Sequence, residues 1–415
     1  PPDFSGSGGL KWLGDDPKAY ARNYQLKSAE SPEAWQGLVD LCAVLERTPV
    51  DDLERILPQH LDVDATLWFL AVDNALGDDD GYASRASDYL LYRDPKGRFH
   101  PIPRDNNEVL LASRGRGGPG GPVGDGPGAT RPGAPDGGAP ERRGPPPGEP
   151  GPSAPDRAAP DGGPPGGGPP GGAGPRGRRG GPGSASTSPL QMESRVDRPL
   201  LHRLLEVPTW KQRYLANLHE LATTALADEV IAPRLAQWHD LAHPFVANDV
   251  HALFGYQAFE QAFAKDDNGK PAPRSMLGII ARRRQVILQD PALQGSWPSL
   301  SAPVTTAQLA SDGSTQLTVA CRADGATIAA VRLHCDRGMF GRFSITEMHD
   351  DGKHADGASG DGVYGATLPA VRGGTAWRFW IEAVAADSGH VDCLPAGNGA
   401  LPFVWKAPVK NGKKK

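Results

Sequence analysis

Between Val72 and Leu110 the chain reads VDNALGDDDGYASRASDYLLYRDPKGRFHPIPRDNNEVL, and three of its carboxylates, Asp80, Asp88 and Asp105, are separated by 8 and 17 residues. A tight hairpin between Asp88 and Asp105 would return the chain almost to where it left, because paired strands of similar length have adjacent outer ends. The three side chains then converge. Carboxylates of this kind, with Asn74, Asn106, Asn107 and Glu108 nearby, are hard oxygen ligands that suit Mg²⁺ or Ca²⁺ and suit Zn²⁺ poorly. A Mg²⁺ there would bring phosphates with it, and the chemistry would be phosphoryl transfer. From position alone Asp80 is the candidate base, and Asp88 and Asp105 the metal ligands. Asp and Asn are also common in solvated loops and caps, so a purely structural reading stays open, and Asp78 and Asp79 read as surface charge.

A second acidic phrase, HDDGKHADGASGDGVYG, follows Met348 and interleaves Asp350, Asp351, Asp356 and Asp361 with glycines. Several oxygens aimed at one volume make Ca²⁺ chemically reasonable. The spacing is not that of an EF-hand. The same carboxylates equally well cap backbone amides in tight turns, and His349 and His354 read as bystanders.

The elements needed to position the first cluster are legible. Leu67, Trp68, Leu70, Ala71 and Val72 predict a helix over Val63 to Leu76, with Asp62 and Asp64 at its N-terminus as cap and dipole partner. Tyr89 to Tyr92 predicts a strand, Asp94 to Gly97 its turn and Arg98 to Pro103 the returning strand. Upstream, a helical stripe spans Pro32 to Thr48. From Leu200 onward amphipathic segments predict a small helical array, in which Ile231, Leu235, Trp238 and Leu241 form one stripe and Phe254, Tyr256, Phe259 and Phe263 pack across it. A last helix, Met276 to Gln289, carries Arg282, Arg283 and Arg284, read as solvated surface rather than an anion site. From Pro303 the apolar period is two, with Leu317, Val319 and Cys321, then Val331, Leu333 and Cys335, then Trp377, Phe379 and Ile381. Short strands over this length predict an immunoglobulin-like or fibronectin-like sandwich.

Composition divides the chain. Of 415 residues 53 are Gly and 42 are Pro, and 45 of these 95 fall within positions 115–183. That tract has almost nothing to bury and is expected to be a disordered spacer. The expected organisation is 1–114, first part of an α+β domain; 115–183, Gly/Pro-rich insertion; 184–295, its helical remainder; 303–408, an all-β sandwich; 409–415, a basic tail. With 44 basic and 49 acidic residues the formal charge is −5, which gives no general attraction to nucleic acid. No window is long and apolar enough for a membrane span. Four cysteines permit three pairings, and free buried thiols are as compatible with the pattern. Lys11 follows Gly8 and Gly9 at a spacing that matches neither a P-loop nor a kinase Gly-rich loop.

The run from about Tyr20 to Glu108 resembles the C-terminal half of the CotH-like protein kinases, an atypical kinase family named after a spore coat protein. That family has an Asn/aromatic/Asp segment after a helix, then an Asn-Tyr-x-Leu-Tyr strand and an Ile-Pro-Trp-Asp-x-Asp strand end. Here stand Asp78, Asp79, Asp80, Gly81 and Tyr82; then Asp88, Tyr89, Leu90, Leu91 and Tyr92; then Ile102, Pro103, Arg104, Asp105, Asn106 and Asn107. The resemblance resumes at Arg198, Pro199, Leu200, Leu201, Arg203 and Leu204. It implies a kinase-like C-lobe, ATP and Mg²⁺ as cofactors, a protein substrate or a cell-surface structural protein as partner, and a secreted or cell-surface location. It gives Asp80 the catalytic-loop role and Asp105 the Mg²⁺-binding role, with Asp88 and Asn107 at the remaining metal positions. Three departures stand out: Asp88 replaces the family's Asn, Arg104 its Trp and Asn107 its second Asp. Asp88 adds charge that tightens an ion or raises a neighbour's pKa, and Asn107 offers only a neutral carbonyl. Arg104 suits either bidentate contact with a phosphate or pairing with Asp105. The nucleotide-binding lobe such a site needs is expected upstream of Pro1. The rival readings are an inactive scaffold of the same fold and a Ca²⁺-dependent adhesion or carbohydrate-binding protein centred on the sandwich, whose acidic phrase resembles turns in modules of extracellular bacterial proteins.

Overall fold

The computed structural model describes residues 8–110, 187–191, 193–252, 254–338 and 342–409. Helix α1 (Pro32–Arg47) starts where the Ser31 hydroxyl accepts from the Ala34 amide and Pro32 needs no donor. A short α2 (Val50–Ile56) follows. Helix α3 (Val63–Leu76) is capped by the Asp62 carboxylate, which accepts from the Ala65 amide, and it stops at Gly77 in a left-handed conformation, φ 62°. Its bounds are those the apolar spacing predicts. Strands β1 (Tyr89–Arg93) and β2 (Phe99–Pro103) pair antiparallel, from Tyr89 opposite Pro103 to Arg93 opposite Phe99. Asp94 closes the turn, accepting from the amides of Lys96 at 2.8 Å and Arg98 at 3.0 Å. The Phe99 carbonyl takes the Asp62 amide at 2.8 Å, so the hairpin is tied to the start of α3.

Beyond residue 187 the chain supplies α4 (Pro199–Glu206), α5 (Pro208–Glu220), α6 (Asp228–Val246), α7 (Gly255–Ala262) and α8 (Met276–Leu288), with one π-helical turn at Leu221–Ala225. These helices share one core with the first segment: Leu41, Leu45, Leu67 and Tyr82 cluster with Leu200, Leu204, Tyr214 and Ile280. Chain on both sides of the Gly/Pro tract therefore builds a single, mainly helical N-terminal domain. The tract, expected to be disordered, lies outside the described residues, as does the basic tail beyond Val409. Three expectations for the array fail. Phe254, expected to pack across it, is 75% exposed. Arg283 is buried rather than solvated, and on α6 only Leu235 is buried while Trp238 and Leu241 are exposed. Apolar spacing on a helix names a face; it does not supply a neighbour to cover it.

The C-terminal domain is a β-sandwich. Strands β3 (Ser299–Leu300), β4 (Val304–Leu309), β8 (Val363–Thr367) and β9 (Val371–Arg372) surround β5 (Ser314–Asp324) in one sheet. The other runs β11 (Val391–Leu394), β10 (Ala376–Ala385), β6 (Ile328–Asp336), β7 (Ser344–Met348), with β12 (Phe403–Lys406) also on β10. Leu317, Val319, Leu333, Phe379 and Ile381 point between the sheets. Strand β10 is buried on its other face as well, because Trp380 packs with Ala216 of α5 and Cys393. All four cysteines are buried free thiols.

Candidate active site

The hairpin delivers its two outer ends to one place. The Arg104 amide donates to the Asp88 carbonyl at 3.0 Å, one step past the last strand pair. Asp88 and Asp105, immediately outside the two strands, both have left-handed backbone, φ 54° and 56°. A non-glycine residue in that region is uncommon, although Asp tolerates it better than most, and such strain collects at functional sites. The loop after α3 is sewn to the same end. Asp78 accepts from the Asp80 amide at 3.1 Å and from Asn106 Nδ2 at 2.9 Å, and the Asp79 amide donates to the Glu108 carbonyl at 3.3 Å. Asp78 is thus a buried brace, not the surface charge its sequence context suggests.

The electrostatics report the same convergence. The Asp88 carboxyl is pushed up to about 6, first by desolvation and then by the charges of Asp80, Asp105, Asp78 and Glu108. Beneath it, Asp73 at the end of α3 is pushed to about 7 by burial, with Asp78 and Asp88 adding like charge and the Ala83 amide opposing the shift. Asp73 Oδ2 accepts from Ala83 at 3.0 Å, and a Cβ at Gly81 would overlap Asp73 Oδ1. Gly81 lets the loop pass over that carboxylate.

Residues from beyond the tract hold the loop in place. Arg198 donates to the Ser84 carbonyl at 2.8 Å, and the Leu200 amide donates to Tyr82 Oη at 2.9 Å. Arg283 of α8 donates to the Asn74 carbonyl at 3.2 Å and also bonds Asn74 Oδ1 and the Thr187 carbonyl. The sequence reading missed Arg283 as a positioning residue. Its only local signal is a helical position between the buried Ile280 and Ile287, which its two arginine neighbours mask.

The remaining predicted residues are placed as follows. Asp80 meets the Arg85 guanidinium. Arg104, Asp105 and Asn107 are exposed, and among the described residues Arg104 forms no ion pair with Asp105. No three His, Cys, Asp or Glu side chains of the described residues are already drawn into an ion-binding cluster. A shallow hollow lined by Glu30, Pro32, Trp35 and Gln36 involves none of these carboxylates.

Residues 3–135 match the protein family described as CotH kinase protein, and residues 299–384 match the one described as conditioned medium factor 2nd Ig-like domain. The chain carries an N-terminal CotH-family domain followed by an Ig-like β-sandwich domain. No curated protein matches the chain at a significant level. The match to the CotH family takes in Asp80, Asp88, Arg104, Asp105 and Asn107, the residues gathered around the hairpin. Among the described residues no helix is long and apolar enough to cross a membrane.

In the Ig-like domain the acidic phrase forms a loop between β7 and β8 in which each carboxylate serves backbone amides. Asp350 accepts from Gly360 at 2.7 Å and Gly362 at 2.9 Å, and Asp361 from Ala358 at 3.0 Å and Val363 at 2.9 Å. Asp356, buried, accepts from Asp351 at 2.6 Å, Gly352 at 2.8 Å and His354 at 2.9 Å. Asp351 takes the Lys353 amide at 3.0 Å and His354 Nδ1 at 2.9 Å. Each of these carboxylates thereby braces the backbone of the loop.

Proposed function

We propose that the CotH-family domain carries the C-lobe chemistry of an atypical protein kinase, transferring the γ-phosphoryl of ATP to a protein hydroxyl at the cell surface or outside the cell. The observation that carries this reading is the convergence of Asp80, Asp88 and Asp105 at the open end of the β1–β2 hairpin, closed by the 3.0 Å bond from the Arg104 amide to the Asp88 carbonyl; there desolvation first, and then the charges of Asp80 and Asp105, push the Asp88 carboxyl to about 6. Such a concentration of negative charge fits a hard divalent cation, and Asp88, Asp105 and Asn107 would hold it with oxygen ligands. When bound, Mg²⁺ supplies neutralisation of the phosphate charge. Asp80 then accepts the proton of the attacking hydroxyl, and Asp78 fixes its backbone through the 3.1 Å bond to its amide. Arg104, exposed beside Asp105, is free to meet a phosphate oxygen. Arg198 holds the loop at Ser84, and Arg283 holds the end of α3 that leads into it.

One observation favours the second reading, an inactive scaffold of the same fold: the Asp80 carboxylate is engaged by Arg85, which a base must release. The complete gene product, given Mg²⁺ and γ-labelled ATP with and without protein acceptors, separates the two. Phosphotransfer that falls by about a hundredfold or more in Asp80→Asn and in Asp105→Asn supports the kinase. Absent transfer and absent ATP binding by a folded wild-type protein would leave the scaffold.

A further inference from the structure

Helices α6 and α7 share little core. Helix α6 buries only Leu235 and α7 buries nothing, while Leu241 and Phe245 are 68% and 73% exposed. The pair is joined instead by imidazoles and aromatic rings. His239 stacks on Phe259, with ring centroids 5.2 Å apart, and meets Phe263 edge-on at 4.8 Å; His243 meets Tyr256 edge-on at 5.5 Å. Within this layer two imidazoles approach one carboxylate oxygen, without yet being drawn into an ion-binding cluster. His239 and His243 stand one turn apart on α6, and their Nε2 atoms lie 3.2 and 3.8 Å from the same oxygen, Glu260 Oε1 of α7. His239 Nδ1 lies 3.2 Å from Asp240 Oδ1.

We propose that His239, His243 and Glu260 form a site for a borderline divalent transition-metal ion, Zn²⁺ or one of like preference, that staples α6 to α7. Two imidazoles at i and i+4 of a helix with one carboxylate from a second element make a zinc donor set, and the two nitrogens disfavour Mg²⁺ and Ca²⁺. Bonds of about 2.0–2.1 Å at a tetrahedral ion place its donor atoms about 3.3 Å apart. The His239–Glu260 separation already has that value, and His243–Glu260 is wider by about 0.5 Å, a gap that side-chain torsions close. Asp240 orients the His239 ring through Nδ1, as outer carboxylates do for metal-bound imidazoles. The bonds that must be given up are His239 Nε2 to Glu260 Oε1, now 3.2 Å, and His243 Nε2 to Tyr256 Oη, now 2.7 Å. The fourth position is left to water. The ion would supply the linkage that two helices with almost no common core otherwise lack.

The full chain, free of any added histidine tag and stripped with a chelator, is titrated with Co²⁺ while its visible d–d absorption is recorded, then with Zn²⁺ in competition. One equivalent binds with the intense bands of a four-coordinate site, and Zn²⁺ raises the Tm. His239→Ala, His243→Ala and Glu260→Gln each weaken binding by about tenfold or more, whereas His251→Ala leaves it unchanged. The exposed Glu260→Gln retains the shape and the hydrogen bonding of the side chain, so it tests the site even where loss of an imidazole disturbs the helix. Absent binding, or equal binding by wild type, His243→Ala and Glu260→Gln, overturns the proposal. Binding lost in Asp105→Asn alone would assign the ion to the hairpin carboxylates instead.

Discussion

Asp88 occupies a position where the CotH-like pattern has Asn, and the extra charge has a cost that can be measured. Its folded pKa, about 6, lies above that of a free carboxyl, so the folded state binds the proton more tightly and this group's contribution to stability declines as pH rises from about 4 through 6. Asp88→Asn is therefore expected to stabilise the protein at neutral pH, by up to about 1 kcal/mol after allowance for solvent screening. The gain should vanish in urea melts below about pH 4, where Asp88 is protonated in both states. Equal gain at both pH values would show that the neighbouring carboxylates do not share its field. The carboxylate pattern and its hairpin were readable because Asp80, Asp88 and Asp105 sit at ends of elements whose apolar periods are plain. Asp78 was not, since a run of three aspartates gives no sign of which one turns inward to take the Asp80 and Asn106 donors.

At the scale of the element, the hairpin is held to α3 through His100. Its Nδ1 lies 3.1 Å from Asp62 Oδ2 and its Nε2 3.0 Å from Asp94 Oδ2. The Asp62 hydrogen bond is the main cause of its raised pKa, with burial opposing. A raised histidine contributes stability that is complete below its unfolded pKa and lost as pH climbs through the folded one. Burial alone would raise both carboxyls, but the hydrogen bond from His100 and the charges and amides around them hold both below their ordinary values. Their share is present above about pH 4 and lost below it. His100→Gln should thus lower Tm by several degrees near about pH 5–6 and hardly at all above about pH 8; a uniform loss at all pH values would reject ionisation as the cause. In the sandwich loop, Asp356→Ala strips the acceptor from three amides and should lower Tm, whereas Ca²⁺ added to the metal-stripped protein should shift the Tm of wild type and of Asp350→Asn equally. A Ca²⁺-induced rise that Asp350→Asn loses would mean the loop carboxylates also serve an ion.

Across the whole molecule, the outer face of β10 docks on the helical domain through buried charge. Arg213 of α5 bonds Glu382 of β10 at 2.6 Å and lies 3.5 Å from Asp64 of α3, with its guanidinium over the Trp380 ring. Burial would raise the Glu382 carboxyl, but Arg213, with His334, drives it far below its ordinary value. His334, stacked on Trp380, is held down to about 4 by burial. Removing Arg213 leaves the buried Glu382 with Arg332, 3.1 Å away, as its remaining cation, so the loss is about 3 kcal/mol or less. Arg213→Met should therefore destabilise by that order and split a single unfolding transition into two, one for each domain, in calorimetry. A single transition with little loss would show that apolar contact alone couples them.

From sequence alone came the local elements and the chemical character of their ends: α3 bounded by Asp62 and Gly77, a hairpin from Tyr89 to Pro103, a helical array, and strands of period two. Those follow from side-chain periodicity and from cap and turn chemistry, which act over a few residues. What only the tertiary structure decided lies between residues far apart in the chain. Arg198 reaches back across the Gly/Pro tract to the Asp80 loop, and Arg283 to the end of α3 that leads into it. Trp380, on the strand face that alternation assigns to solvent, is buried because α5 covers it. Trp238 and Leu241, which a stripe assigns to the core, face outward because among the described residues nothing packs over them. Burial is a property of the neighbour as much as of the residue, and a one-dimensional pattern names the face without naming what will meet it.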